Sequence, residues 1–491
     1  MEKKFLHIDV NNAFLSWTAV ARLKAGEKVD LRTIPSVIGG DEAKRHGIVV
    51  AKSNIAKKFG IQTAEPLYMA RRKCPSIVVV PADHKYYREC SDKLYNLFLE
   101  YTEKVERFSV DECFLDLTEY LKPDEDLIKV GIQIKERVKK QFGFTVNVGV
   151  SDDKILAKIA SDFEKPDKIH TLFKSEIREK LWPLPVSEMF LVGKKSIPKL
   201  NRMGVRTVGD LANMDKAVLI KNFGKYGYTI WKYANGESGE EVNYLPEKPK
   251  GIGNSITLPY DVASIDELEA TLVELVEKVA YRLRKEDMFA TVVNVQLKNN
   301  NFKNYSHQKK LLSKTDSTND ILKVAKELLR ELFVGEPIRL IGVRVDGLVE
   351  KEEFQLSIFD IKEDSKNKKL DNAMDQLKEK FGYDILTRAS ELKSNNKNKW
   401  CIYYINLITL GGADMEPQVT ICCNKRDKRC CCLYRVLYTI IGLFAFVIGI
   451  VIGAQTTIVS TIGAVYFYAI GTTLVILALI ALIYIWCSCR N

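Results

Sequence analysis

Near the N-terminus, the short apolar stretch Phe5-Leu6-His7-Ile8-Asp9-Val10 carries a carboxylate one place from its end. Far along the chain, Ser109-Val110-Asp111-Glu112 runs directly into a second apolar stretch, Cys113-Phe114-Leu115-Asp116-Leu117. Acids at the ends of otherwise buried strands are costly unless a cation takes them up. Taken alone, an Asp-Glu pair is ordinarily a solvated turn. Three acids on adjacent strand ends can instead hold two Mg²⁺ ions, the arrangement that drives in-line phosphoryl transfer. The chain is therefore expected to fold around a sheet that brings residues 9, 111 and 112 to one place.

At 491 residues the chain is long enough for several domains. Its 74 Lys+Arg exceed its 63 Asp+Glu, an excess that suits a polyanionic partner without requiring one. Only Cys74, Cys90 and Cys113 fall in the first 400 residues, which reads as a reduced, cytoplasmic body with no disulfide framework. The first 34 residues carry no secretory signal. Residues 1–168 alternate predicted strands (Phe5–Val10, Ile48–Ala51, Ile77–Val80, Phe114–Leu117, Thr145–Val150) with amphipathic helices. The clearest helix lies around Asp126–Phe142, where Leu127, Val130, Ile134 and Val138 repeat at helical spacing. Residues 169–236 read as helical with short Gly-bearing turns, and 237–250, charged and with two prolines, as a linker. A second α+β unit spans 251–350, with strands near Ser255–Leu258, Ala290–Leu297 and Ile338–Val345 and helices near Ile265–Arg284 and Thr318–Phe333. Residues 361–399 are polar around one short helix, Leu370–Phe381, and no internal repeat is present.

Several motifs occur together and in order. They are His7-Ile8-Asp9-Val10, Ser109-Val110-Asp111-Glu112, Gly149-Val150-Ser151 with Ala157-Lys158-Ile159-Ala160-Ser161, and Lys165-Pro166. On these, residues 1–392 resemble the Y-family DNA polymerases, in the DinB or polymerase IV-like branch. The resemblance implies an α+β right-hand polymerase: palm and fingers over 1–168 (fingers about 20–77), a thumb over 169–236, a linker over 237–250 and a little finger over 251–350. It also implies a translesion-type DNA polymerase that extends a primer 3′-hydroxyl with deoxynucleotides at low fidelity. Asp9, Asp111 and Glu112 would be its catalytic acids, and these with the Val10 carbonyl would hold two Mg²⁺ ions. Phe14 matches the family's steric gate, a ring beneath the sugar that leaves no room for a 2′-hydroxyl. Lys158 matches the lysine on the incoming triphosphate, a point charge suited to a phosphate oxygen.

The second triphosphate segment, Ala51-Lys52-Ser53-Asn54-Ile55-Ala56-Lys57-Lys58-Phe59-Gly60, departs from the best-known family pattern. It lacks that pattern's Tyr and has Lys57 where an Arg stands, so charge neutralisation is retained without bidentate geometry. Ser53 is the candidate for the missing hydroxyl. Gly193-Lys194 and Gly204 lie in a helix–hairpin–helix pattern whose turn N–H groups would face a DNA phosphate. Between Lys298 and Lys314 there are five lysines and no acids, read as a basic loop in which Lys309 and Lys310 track template backbone. Gln355, Leu356, Ile358 and Phe359, within 351–399, resemble the peptide by which bacterial polymerases dock on the sliding clamp.

The tail obeys other rules. From Val436 to Cys489 there is no charge in 54 positions, long enough for two membrane spans, Val436–Ala454 and Ala464–Trp486. The flanking basic residues place both termini in the cytoplasm. Such a hairpin is foreign to the family, so 400–491 reads as a spacer plus a membrane hairpin, possible only as a tether or as a neighbouring gene product starting at Met415 and fused by read-through. The tail cysteines fit no standard zinc spacing. Two rival functions stand beside the polymerase: a catalytically impaired DNA-binding scaffold and a membrane-tethered sensor.

Overall fold

The computed structural model describes residues 3–42, 45, 47–121, 125–245, 248–351 and 364–382. All of these lie in one compact unit, Met1–Leu386. The strands are β1 (Phe5–Val10), β2 (Ser36–Gly39), β3 (Val49–Lys52), β4 (Val78–Pro81), β5 (Val105–Arg107), β6 (Glu112–Asp116), β7 (Val146–Ser151), β8 (Ile169–Thr171), β9 (Gly251–Val262), β10 (Met288–Asn299), β11 (Asn304–Thr315), β12 (Ile338–Asp346) and β13 (Val349–Glu350). The helices are α1 (Ala13–Lys24), α2 (Asn54–Lys58), α3 (Leu67–Lys73), α4 (His84–Phe98), α5 (Leu127–Phe142), α6 (Lys154–Ser161), α7 (Ile197–Arg202), α8 (Val208–Asn213), α9 (Lys216–Phe223), α10 (Lys225–Ala234), α11 (Ile265–Lys285), α12 (Thr318–Leu332) and α13 (Asp364–Phe381).

Three sheets organise these elements. The first has the order β5-β6-β1-β7-β8, with only β7 and β8 parallel. A small sheet, β3-β2-β4, carries α2 and α3, and the third has the order β11-β10-β12-β9. Period-2 alternation sends Leu6, Ile8 and Val10 of β1 into a core shared with α1, α4 and α5. Helix α5 has the boundaries its spacing predicts. Asp126 caps it by accepting from the Ile128 N–H, and Gly143 closes it at φ +85°. Its four spaced apolar residues are all buried, each contributing about 1.5–3 kcal/mol.

The opposite face of the first sheet receives α6, in which every residue is buried. Helix α6 also supplies Ile155, Leu156, Ile159 and Ala160 to the core of the helical region that follows, so it is a shared wall. The segment 237–245 has no regular secondary structure but is not a free tether. Val242 is buried against Phe5, Phe114 and Ala157. Ser238 donates to Asp153 at 2.8 Å, and the Asn243 N–H donates to Glu106 at 2.6 Å.

In the second α+β unit, α11 and α12 pack on one face of the β11-β10-β12-β9 sheet around Val293, Val295, Ile341 and Val343. One expectation is overturned here. The basic stretch read as a loop from Lys298 to Lys314 is mostly strand, because β11 spans Asn304–Thr315 and pairs with β10, continuously from Asn304 to Lys310 and then across a register shift near Ala290. As an edge strand that is exposed along most of its length, it has little apolar alternation to betray it. The C-terminal helix α13 starts six residues earlier than its apolar pattern suggested and is held by Arg284, which forms paired bonds with Asp375 at 2.5 and 2.9 Å.

The contact between β7 and α6 is tight enough to require glycine. A Cβ on Gly149 would sit 1.8 Å from the Ala157 carbonyl oxygen and 2.6 Å from the Ser161 nitrogen, both backbone atoms that cannot yield cheaply. Gly149→Ala is expected to cost about 3 kcal/mol or more, read as a lowered midpoint in denaturant unfolding of the full chain.

Candidate active site

Strands β1 and β6 set Asp9 directly opposite Glu112, and the Val10 N–H donates to the Asp111 carbonyl at 3.1 Å. Opposed residues of an antiparallel pair share a face, so the Asp9 and Glu112 carboxyls are neighbours on the side that faces α6. Each has an ammonium group beside it. Lys165 Nζ lies 2.8 Å from Asp9 Oδ2, and Lys158 Nζ lies 2.7 Å from Glu112 Oε1. Burial pushes the Asp9 pKa up to about 7; Lys165 opposes this, and the adjacent Glu112 adds to it. The salt bridge and the raised value pull in opposite directions. Desolvation and carboxylate crowding outweigh a single ammonium that Lys165 also shares with Asp162.

Asp111 stands apart in its side chain. Ser109 Oγ donates to Asp111 Oδ1 at 2.6 Å and turns the carboxylate toward its own loop. Accordingly, among the described residues no three His, Cys, Asp or Glu side chains converge as a ready ligand set. The donors nevertheless fit a hard divalent cation. Two carboxyls sit side by side in a poorly solvated site, two lysines serve as their counter-charges, and the backbone of Asp111 is bonded to Val10 beside them.

The two lysines are placed by a buried polar network that the sequence motifs did not reveal. His7 Nδ1 is 2.7 Å from Ser161 Oγ, which donates to the Lys158 carbonyl at 2.7 Å. Burial, followed by the nearby lysines, lowers the His7 pKa well below its usual value, so the imidazole is neutral. Asn147 donates to the carbonyls of Ser161 and Glu164 at 3.1 and 2.7 Å, tying the end of α6 and the Lys165 loop to β7. Lys158 Nζ also lies over two rings, Phe108 at 5.3 Å and Phe190 at 5.6 Å, the latter from the helical region.

The nucleotide candidates are placed unequally. Phe14, half-buried on α1, stacks on Tyr87 with centroids 4.6 Å apart and an interplanar angle of 13°. His84 and Trp17 flank it, so the ring cannot easily retreat. Lys57 is exposed on α2. The Ser53 expectation needs correction. Ser53 is 1% exposed and its hydroxyl caps α2, accepting from Ala56 N–H and Ser36 N–H and donating to the Ile34 carbonyl. It has no hydroxyl to offer a ligand, because the capping role of a Ser before a short helix takes precedence.

Gly193 and Gly204 both sit in turns with open space where a Cβ would be, and Gly204 has φ +84°. Lys194 is exposed beside the first turn. Lys309 is paired with Glu327 of α12 at 2.8 Å, whereas its neighbour Lys310 points to the other face, as strand alternation requires. That other face of the third sheet is polar and basic. In one register row, Gln308, Asn294, Arg344 and Gly253 lie side by side. A cleft of about 590 Å³ opens where the small sheet meets the third sheet, lined in part by Arg45, His84, Lys298, Phe302 and Arg339. Arg45 bridges the two parts through Asp261 at 2.5 Å. The candidate clamp peptide Gln355–Phe359 and the whole tail, including 436–486, lie outside the described residues. Among the described residues no helix is long and apolar enough to cross a membrane.

The Asp9 environment makes a pH-linked prediction. A carboxyl whose pKa rises from 3.8 to about 7 on folding is bound to its proton more tightly in the folded chain, so its favourable contribution is complete below 3.8 and is lost as pH rises through about 7. A divalent cation must displace that proton. Titration calorimetry with Mn²⁺ just below pH 7, in two buffers of different ionisation enthalpy, should show proton release that Asp9→Asn removes.

Residues 8–162 match the impB/mucB/samB family and residues 249–358 match its C-terminal domain. The chain is 45% identical over 397 residues to a DNA polymerase IV of Clostridium acetobutylicum, covering 81% of this chain and all of that protein. A DNA polymerase IV of Acetivibrio thermocellus is 36% identical over 406 residues, again along its whole length. Among solved structures, a Y-family DNA polymerase chimera is 25% identical with a TM-score of 0.64, covering 71% of this chain and 99% of that one. An insertion ternary complex of Dbh DNA polymerase is 26% identical with a TM-score of 0.51 over the same shares. On these matches the chain belongs to the Y family of DNA polymerases, among the relatives of DNA polymerase IV.

Proposed function

We propose that this chain is a translesion-type, template-directed DNA polymerase that adds deoxynucleotides to a primer 3′-hydroxyl, with residues 1–168 as palm and fingers (fingers about 20–77), 169–236 as thumb and 251–350 as little finger. The observation that carries the reading is the β1–β6 register, which opposes Asp9 to Glu112 with Asp111 one residue away. Asp9, the Val10 carbonyl, Asp111 and Glu112 would hold two Mg²⁺ ions, whose chemistry would be to lower the pKa of the attacking hydroxyl and offset charge at the α-phosphate. For this, the Asp111 carboxylate leaves Ser109 and Lys158 gives up Glu112. Lys158 and Lys57 then meet the triphosphate as point charges. Since the Ser53 hydroxyl is committed to its cap, the remaining phosphate contacts fall to Lys57 and to backbone N–H groups of the same segment.

Phe14, backed by Tyr87, excludes a 2′-hydroxyl. The Gly193-Lys194 and Gly204 turns and the polar face bearing Lys310 grip the sugar-phosphate backbone, with Lys309 contributing once it leaves Glu327. The cleft between the small and third sheets accepts the template strand. Gln355, Leu356, Ile358 and Phe359 form the sliding-clamp peptide. The body works in the cytoplasm, and a membrane would be met through the uncharged stretch 436–486.

Primer extension with all four deoxynucleotides and Mg²⁺ tests the reading. Wild type should extend the primer and Asp111→Ala should not, while both retain primer–template binding; no extension by wild type would favour a DNA-binding scaffold, and extension by the variant would remove Asp111 from the catalytic acids. Phe14→Ala should raise ribonucleotide incorporation while sparing deoxynucleotide use, and an equal loss of both would show that the ring is only a core residue.

A further inference from the structure

Lys158 is buried to 6% exposure, yet a phosphate-binding lysine has to exchange partners. Its ammonium is 2.7 Å from Glu112, and two rings, Phe108 at 5.3 Å and Phe190 at 5.6 Å, stand over it. The rings touch each other, with centroids 6.2 Å apart at 60°. Each is anchored from behind. Phe108 packs edge-on against the fully buried Phe114 at 5.4 Å, and Phe190 stacks on Tyr233 at 6.2 Å. The next residue, Leu191, holds φ +70°, a strained value for a branched side chain, and Tyr226 donates to its carbonyl at 3.1 Å. The turn is therefore over-determined, and the Phe190 ring cannot drift.

We propose that Phe190 and Phe108 form an aromatic cage that positions Lys158, so that Phe190 is a positioning residue for nucleotide binding contributed by the helical region. A cation over ring faces is attracted without a fixed hydrogen-bond direction, so the cage holds the ammonium while its anionic partner changes from Glu112 to a phosphate. Glu112 and the incoming phosphate thus take turns on one lysine that never has to return to water. Phe190 is three residues before Gly193, so the segment that sets Lys158 is the same one proposed to touch DNA.

The inference rests on the polymerase reading. The test compares wild type with Phe190→Leu, Phe108→Leu and Phe190→Tyr in the full chain. Three quantities are read: KM and kcat for a single correct deoxynucleotide, primer–template Kd by fluorescence anisotropy in EDTA, and the melting temperature. Each Leu variant should raise the nucleotide KM about 3- to 10-fold, with a smaller change in kcat. The EDTA Kd for DNA should stay within about two-fold of wild type, and Phe190→Tyr, which keeps a ring, should restore the KM. The cage is overturned by an unchanged KM in the Leu variants, by a DNA Kd that weakens in step with KM, or by a Tyr variant no better than Leu. Should wild type itself fail to extend a primer, the polymerase reading fails instead, and the two failures are distinct.

Discussion

Two carboxylates face each other across β1 and β6, and the surrounding structure is arranged around their charge. Like charges this close in a poorly solvated site are unfavourable unless cations balance them. In this protein the balance falls to Lys158 and Lys165, one on each acid. Both lysines are held from behind by neutral polar side chains, His7, Ser161 and Asn147, which consume backbone carbonyls that would otherwise be buried without donors. The motif around Gly149 follows from the same need. Only a glycine in β7 lets α6 come close enough for Lys158 to reach Glu112.

Much of this was legible in the chain itself. β1 has the boundaries its apolar run implies, and α5 has those its 3.6-residue spacing and Asp126 cap imply. Both carry strong, local, one-sided patterns. Asp9, Asp111 and Glu112 could be grouped in advance because several motifs occur together and in order, whereas the direct opposition of Asp9 to Glu112 is a matter of strand register. What stayed hidden depends on contacts between distant residues, or on patterns erased by exposure. β11 resembles a loop in sequence since an edge strand wet on most positions has no apolar period. Ser53 is ambiguous in sequence since a cap and a phosphate contact draw on the same hydroxyl chemistry. Phe108 and Phe190 gave no sign, because nothing in either neighbourhood records that a lysine will lie between them.

Helix α6 explains how one short element serves two units. Eight residues long and buried throughout, it presents Gly149 and β1 with its small residues and the helical region with its aliphatic ones. Lys154 and Lys158, one turn apart, meet Glu106 and Glu112 at 2.7 Å each. A helix with two buried lysines is tolerable only with such partners. The consequence is that the region carrying Gly193 and Lys194 shares its hydrophobic interior with the element carrying Lys158, so neither can shift independently of the other.

The connection that leads into the second α+β unit has a consequence of its own. With Ser238 bonded to Asp153, Val242 inserted beside Phe5 and Phe114, and the Asn243 N–H on Glu106, the connection is fixed to the first sheet and α6 as far as Asn243. Seven residues then remain before β9 starts at Gly251. At full stretch they span at most about 25 Å, comparable with the width of a small domain. Together with Lys248 on Glu350 and Arg45 on Asp261, this short connection leaves the third sheet little room to swing away from the first.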